Sequence, residues 1–328
     1  MEKAKRNLVV CLGEILYDLL SDNPGLTIDQ VHSWTSYMGG APANVAFALS
    51  KLKLPVAFIG RVGKDPEGKD LVNSLEKENI QLEGIQWDPS APTRKVYVER
   101  NLEGDRKFAG FGKFKTEEFA DTFLESSLLP LDLIQNSEYL VLGTLLMAYP
   151  KSLESLEKAI EIGIESGITL IMDVNWRPVF WDNEKRGIEH ILRHIQKMQV
   201  VKFSKEEAEL IYQTTDLTLL STYLPETQVI LITDGDQGCH YKIGEHLGFI
   251  PSFKVNTIDT TGAGDSFLAG FIYQMTLNKD ISLISKEKAR EMVIFASAMG
   301  AITTTGGGAI LPQPYLIEVE QFLENQSL

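Results

Sequence analysis

The sequence predicts an α/β protein: a doubly wound, mostly parallel sheet with helices on both faces and a small β-sheet lid. Three observations predict it. From about residue 120 onward, short apolar runs alternate with stretches of helical length, the order that sets parallel strands between covering helices. Polar or glycine-rich turns follow several runs, at 13–18, 39–44, 173–177, 233–238 and 259–265, and a doubly wound sheet gathers such turns at one edge. Residues 80–111 differ. Ile85, Trp87, Val96, Val98, Phe108 and Phe111 recur there in short alternating stretches that suit a small antiparallel sheet.

Leu8–Leu12 is a continuous apolar run ending at Gly13, the pattern of a buried parallel strand. Glu14 and Asp18 follow it. Acids beyond the carboxyl end of a strand are candidate ligand contacts, with a surface turn as the equal alternative for Asp18. Residues 21–37 are polar and broken by Pro24 and Gly25, and Val31, Trp34 and Tyr37 suit short strands outside the main sheet. Gly39-Gly40-Ala41-Pro42-Ala43-Asn44 opens a helix to about Leu52. The glycine pair is a candidate hinge or ligand approach, or a plain loop. Val56–Ile59 is the next strand, and a turn through Gly60–Asp65 leads to a helix from about Gly68 to Glu78. Asn101–Asp105 has the composition of a hairpin turn. A small sheet made from 21–38 and 84–112 would cover a cleft as a lid within one domain, 1–328.

The second half continues as strand 139–142, helix 151–165, strand 168–172, helix 184–197, strand 200–203, helix 206–213 and strand 229–232. After a β-rich stretch, an extended run through Phe253, Val255 and Thr257 leads into Asp259-Thr260-Thr261-Gly262-Ala263-Gly264-Asp265 and an apolar helix. Helices over 286–302 and 314–324 close the chain.

The 328 residues, 44% apolar and 23% charged, are enough for a large core. A net charge of −14 argues against nucleic acid or an anionic membrane as partner. It leaves an anionic substrate open, because a nest of amides holds phosphate even in an acidic protein. Cys11 and Cys239 sit in apolar runs and read as buried free thiols of a reducing compartment. With no leader-like stretch and no window of about 18 apolar residues, a cytoplasmic protein is expected.

Residues 259–265 carry the chemistry. Gly262, Ala263 and Gly264 would put three backbone N–H groups at a helix start, where unpaired amides and the helix dipole attract an anion. Asp265 would repel that anion, so it suits a base that removes a proton from a hydroxyl attacking a phosphoryl group. The plainer alternative is a strand-to-helix turn with Asp265 as cap. Thr303-Thr304-Thr305-Gly306-Gly307-Gly308 supplies flexible carbonyls that could hold a monovalent cation, or simply ends a helix.

Gly39–Asn44 and Asp259–Phe267, in this order and separation, resemble the paired signatures of the ribokinase-like (PfkB) sugar kinases, and the likeness spans Gly13 to Pro312. Within that family Gly13–Asp18, Asp173–Pro178 and Phe295–Thr305 look most like fructokinases. The resemblance implies a ribokinase-like fold and ATP-dependent phosphorylation of a primary sugar hydroxyl, D-fructose to fructose 6-phosphate. A kinase for 2-keto-3-deoxygluconate or another ketose is the alternative, and a non-catalytic sugar- or nucleotide-binding member the more distant one. It implies Asp265 as catalytic base with Gly262, Ala263 and Gly264 as the anion hole. Asp18, Gly40 and Asn44 would bind sugar hydroxyls, and Arg177 would approach phosphate or sugar. Ser204 and Glu207 match an Asn-x-x-Glu pattern that organises Mg²⁺ through water, with Ser204 where many members have Asn. Thr233, Gly235 and Gly238 would line the ATP site, with Ser297 near the adenine. Backbone oxygens of Asp259, Thr261, Thr303, Gly306 and Gly308 would ligate a K⁺-type cation. A homodimer through the lid edge is the implied assembly.

Overall fold

The computed structural model describes residues 7–100 and 106–326, so the turn expected at Asn101–Asp105 lies outside the described residues. The first part of the chain forms β1 (Val9–Leu12), β2 (Leu16–Ser21), β3 (Trp34–Gly39), α1 (Ala41–Lys51), β4 (Val56–Gly63), α2 (Pro66–Lys77), β5 (Gln81–Asp88), β6 (Lys95–Arg100) and β7 (Arg106–Gly110). The alternating part follows as α3 (Leu131–Gln135), β8 (Tyr139–Leu142), α4 (Pro150–Glu165), β9 (Thr169–Asp173), α5 (Glu184–Ile195), β10 (Val200–Ser204), α6 (Lys205–Tyr212), α7 (Leu217–Tyr223) and β11 (Val229–Thr233). The end comprises β12 (Gly238–Ile243), β13 (His246–Pro251), α8 (Ala263–Leu277), α9 (Lys286–Thr303) and α10 (Leu316–Glu324).

Among the described residues a nine-stranded sheet runs in the order β13-β12-β11-β10-β9-β8-β1-β4-β5, and a separate four-stranded sheet in the order β3-β2-β6-β7. The large sheet is parallel except at β11/β12 and β12/β13. In β1, Val9 and Cys11 face one layer with Phe47, Phe271 and Met299, from α1, α8 and α9. Val10 and Leu12 face the other layer with Leu156, Ile160 and Ile191, from α4 and α5. Period-two alternation thus buries both faces of a strand whose every residue is apolar. Cys11 and Cys239 are buried free thiols, as expected.

Three expectations change. The residues at Ile85 and Trp87 belong to β5, which pairs in parallel with β4 in the large sheet, with Gly60 opposite Ile85 and Val62 opposite Trp87. An edge strand covered on one face alternates like a lid strand, so periodicity alone does not separate them. The small sheet instead gains β2, where Asp18 interrupts the apolar pattern. The extended run at Phe253–Thr257 is not a strand. The antiparallel ladder ends at Pro251, which has no N–H to extend it.

Two of the contacts between the small sheet and the rest of the fold bear on the site. One is the junction of β3 and α1, where Gly40 has φ 106° and a Cβ would collide with the Glu14 carbonyl oxygen. The other is Arg94, just before β6. Its guanidinium, fully buried, bonds Asp121 through Nε at 2.7 Å and a terminal nitrogen at 2.8 Å. It also lies over the rings of Phe119 at 4.7 Å and of Tyr149 and Phe180, each at 5.3 Å. The Arg94 carbonyl accepts from Tyr17 N in β2 at 3.1 Å. Removing one member of a buried pair strands the other charge in a low-dielectric interior. We therefore expect Arg94→Ala to lower unfolding stability by about 3–5 kcal/mol. A loss of less than about 1 kcal/mol in the free energy of urea unfolding would show that Arg94 does not anchor this sheet.

Candidate active site

The start of α8 is shaped by Gly262. Its φ of 77° is left-handed, and a Cβ there would lie 2.8 Å from Ala309 atoms. No side chain caps the helix. The early amides of a helix have no acceptor within it, so this N-terminus presents donors and the positive end of the dipole. The Ala263 amide is the exception: it turns back to Thr260 O at 3.3 Å, and Ala263 does not line the cleft. Gly262 and Gly264 do line it.

Asp265 lies in the first turn of α8, 9% exposed, and its Oδ2 accepts from Asn44 Nδ2 of α1 at 2.8 Å. Burial pushes its carboxyl up to about 6, and the charge of Asp173 adds to this. Lys202, the Asn44 bond and Arg177 pull the other way. The result is a carboxylate that is poised close to neutrality rather than strongly acidic.

Asp265 opens into a cleft of about 610 Å³ between the two sheets. Alternation in β2 turns Leu16, Asp18 and Leu20 into this cleft and Tyr17 and Leu19 to the opposite face of the sheet. A larger groove of about 990 Å³ lies on that opposite face. It is lined by Trp34, Lys95 and neighbouring residues, and neither Asp265 nor the start of α8 reaches it, so the smaller cleft is the chemical site.

Asp18, Gly40, Asn44 and Arg177 come together in this cleft with Ser204, Glu207, Thr233, Thr261 and Gly308. Gly235, Gly238 and Ser297 do not line it. Gly238 begins β12 and is packed against β13, and Ser297 is half-buried on α9. Ser204 and Glu207 form a capping box at α6: Glu207 N donates to Ser204 Oγ and Ser204 N to Glu207 Oε2, at 3.2 and 2.7 Å. The other Glu207 oxygen accepts from Trp176 N at 2.6 Å. Burial pushes the Glu207 carboxyl up, against the pull of Lys202.

Asp259, Thr303 and Gly306 do not line the cleft. Asp259 Oδ1 accepts from Thr261 N and Oγ1, and Oδ2 accepts from Gly308 N at 2.8 Å. Ile258 N and Asp259 N both donate to Thr304 O. The Asp259 side chain thus ties the loop before α8 to the loop after α9. Thr303 Oγ1 lies 2.8 Å from both Ser266 Oγ and Met299 O, and its one proton serves one of them.

The sequence marked Glu14 as a candidate ligand contact without naming its ligand, and Lys202 was missed. Glu14 is 2% exposed and lines the cleft. Its Oε1 accepts from Ala41 N at 3.0 Å, while Oε2 has no hydrogen-bond partner among the described residues. Asn44 Oδ1 is likewise buried and unpartnered. Both atoms belong to residues that line the cleft, where a ligand could supply the missing partner. Lys202 forms a buried pair with Asp173, at 2.8 Å. A lysine inside an apolar strand run was the available signal, because lysine is almost never fully buried unless paired. Among the described residues no three His, Cys, Asp or Glu side chains cluster to hold a metal ion, and no helix is long and apolar enough to cross a membrane.

Comparison with known proteins gives the same picture. The model of the pfkB family carbohydrate kinases matches residues 6–316. Fructokinase-1 of Zea mays is 35% identical over 325 residues, covering 98% of this chain and 99% of the relative. The fructokinase of Xylella fastidiosa, solved with bound ATP, superposes with a TM-score of 0.88 at 26% identity, covering 98% of this chain and 100% of that one. A double mutant of the Vibrio cholerae O395 fructokinase, in a fructose-, ADP- and potassium-bound form, superposes with a TM-score of 0.83 at 27% identity, again covering 98% and 100%.

Burial pushes the Glu14 carboxyl up to about 8 from an ordinary 4.5. Between those values the folded chain holds a proton that the unfolded chain releases. Stability from this group is therefore greatest below the ordinary value and falls as pH rises towards 8. Glu14→Gln keeps an acceptor for Ala41 N and abolishes the titration. We expect the variant to gain on the parent by on the order of 3 kcal/mol between pH 5 and pH 8, read by thermal unfolding. A pH-independent difference would rule this out.

Proposed function

The chain belongs to the pfkB family of carbohydrate kinases, with its ribokinase-like fold, and we propose that it transfers the γ-phosphoryl group of ATP to the 6-hydroxyl of D-fructose. The observation that carries this reading is Asp265: a buried carboxylate one turn into an uncapped helix N-terminus, at the floor of a cleft between two sheets. An anion site beside a base is what in-line phosphoryl transfer needs.

In this mechanism the sugar lies at the Asp18, Gly40 and Asn44 end, where Asn44 Oδ1 accepts from one hydroxyl and the protonated Glu14 carboxyl donates to another. Asn44 also holds Asp265 in place. Asp265 takes the hydroxyl proton as the sugar oxygen attacks phosphorus, the bond to the bridging oxygen breaks, and ADP leaves. The amides of Gly262 and Gly264 stabilise the charge that develops on the phosphoryl oxygens. Arg177, Ser204 and Thr233 face the nucleotide side, and Gly235, Gly238 and Ser297 would serve it from outside the cleft lining. Asp18 at the sugar end disfavours a substrate carboxylate, so a neutral ketose is preferred over 2-keto-3-deoxygluconate.

The Glu207 carboxylate keeps lone pairs beyond its two backbone contacts, which suits holding Mg²⁺ through water. Bound Mg²⁺ would neutralise the nucleotide phosphates. The Asp259 carboxylate is committed to Thr261 and Gly308, so its backbone oxygen, with those of Thr261, Thr303, Gly306 and Gly308, is the proposed K⁺ donor set. Potassium there would strengthen the local positive field behind the anion hole. The four-stranded sheet is the proposed lid, closing about Gly39–Gly40 to exclude water that would otherwise consume ATP. Its edge strands β3 and β7 are the proposed homodimer contact, and the buried thiols fit a cytoplasmic setting.

Sugar-dependent ADP release across fructose, ribose, tagatose and 2-keto-3-deoxygluconate tests the substrate, with fructose expected to give the highest kcat/KM. Asp265→Asn should reduce turnover by roughly two to four orders of magnitude. Because the base must be unprotonated and its carboxyl is pushed up to about 6, kcat/KM should fall on the acid side of that value. Near-normal turnover in Asp265→Asn would remove it as the base.

A further inference from the structure

The Lys202–Asp173 pair is the one fully interior ion pair that opens onto the phosphoryl end of the cleft, among the described residues. In register, Lys202 of β10 lies opposite Asp173 of β9. Its ammonium donates to both Asp173 oxygens, at 2.8 and 2.9 Å, and both side chains are less than 10% exposed. An ammonium has three donors, so one remains beyond this pair. Lys202 also lines the cleft, and its Nζ lies 3.1 Å from where a Cβ on Gly264 would stand. The charge therefore lies within contact distance of the anion-hole backbone at Gly264, where a side chain would crowd it.

If Lys202 served only to neutralise Asp173, the sheet would be better filled by two apolar residues, since buried pairs are often no more stable than hydrophobic replacements. A pair kept at the cleft floor points to use of the charge. Burial pushes the ammonium towards neutrality, but Asp173 and Glu207 outweigh this and raise it, so it stays charged. We propose that Lys202 contacts the transferring phosphoryl group through its third donor and stabilises the charge that develops there, with Asp173 as the positioning residue that aims it. The proton still passes from the sugar hydroxyl to Asp265, and Lys202 exchanges none.

This rests on the phosphoryl-transfer reading of the cleft, and the test separates the two. Lys202→Met should lower kcat by about 10²–10³-fold, the loss typical of one oxyanion donor, with little change in KM for fructose. Inhibition by ADP plus aluminium fluoride in the presence of fructose should weaken by a similar factor, because that complex mimics the transferring group. Lys202→Met leaves Asp173 buried and unpaired, so the double variant Lys202→Met/Asp173→Asn is measured alongside. We expect it to regain thermal stability while kcat stays low. Recovery of kcat in the double variant, or unchanged fluoride inhibition in either, would overturn the proposal and leave a structural pair. Asp265→Asn in the same assays reports on the base alone. If it remained active, the base assignment would fail, while fluoride inhibition, which needs no proton transfer, would still decide Lys202.

Discussion

Buried negative charge at the carboxyl edge of the parallel sheet is the constraint that organises this structure. Glu14, Asp173, Glu207 and Asp265 are all less than 10% exposed, and ionised carboxylates in such surroundings are costly without partners. Each is compensated differently. Asp173 is held by an ammonium, Glu207 by two backbone amides, and Asp265 by one amide side chain and the field of Lys202. Glu14 has one backbone donor for two oxygens and is pushed far towards its neutral form. The edge is thus graded, from fully paired at Asp173 to half-paired at Glu14, and Glu14, Glu207 and Asp265 all line the cleft.

The same edge explains how two sheets cooperate. The small sheet is fastened on one side by Arg94, whose guanidinium is enclosed by a carboxylate and aromatic rings. On the other side it joins α1 through Gly40, a residue whose conformation and close approach to Glu14 both require glycine. One attachment is stiff and the other is compact. Between them β2 carries Asp18 into the cleft, while α1 carries Asn44 to Asp265. A change in the position of the small sheet is therefore felt at the Glu14–Ala41 contact, one residue from the glycine pair and at the sugar end of the cleft.

Much of the site was legible because its chemistry is written in local backbone requirements. The glycines before Asp265 and before α1 mark positive φ and close packing, and such demands appear in the sequence as residue type. Asp259 was read as a carbonyl donor; its side chain also proves to knit two loops that are adjacent only in three dimensions. Ala263 was placed in the anion hole by its neighbours, but a turn bond to Thr260 takes its amide. Lys202 looked like one more residue in a strand. Its importance comes from lying opposite Asp173 and beside Gly264, two positions that no local pattern connects to it.

The sequence by itself determined the alternation of strands and helices, the glycine-dependent turns and the candidate base, because each depends on residues near one another along the chain. The tertiary structure alone decided that β5 belongs to the large sheet and β2 to the small one, since pairing partners are chosen by burial across the sheet and not by periodicity within a strand. It also decided which acids share charge. Coulombic coupling depends on distance through the interior, and Asp173, Lys202 and Asp265, separated by tens of residues in the chain, become neighbours only when β9 and β10 pair and α8 packs at their carboxyl ends.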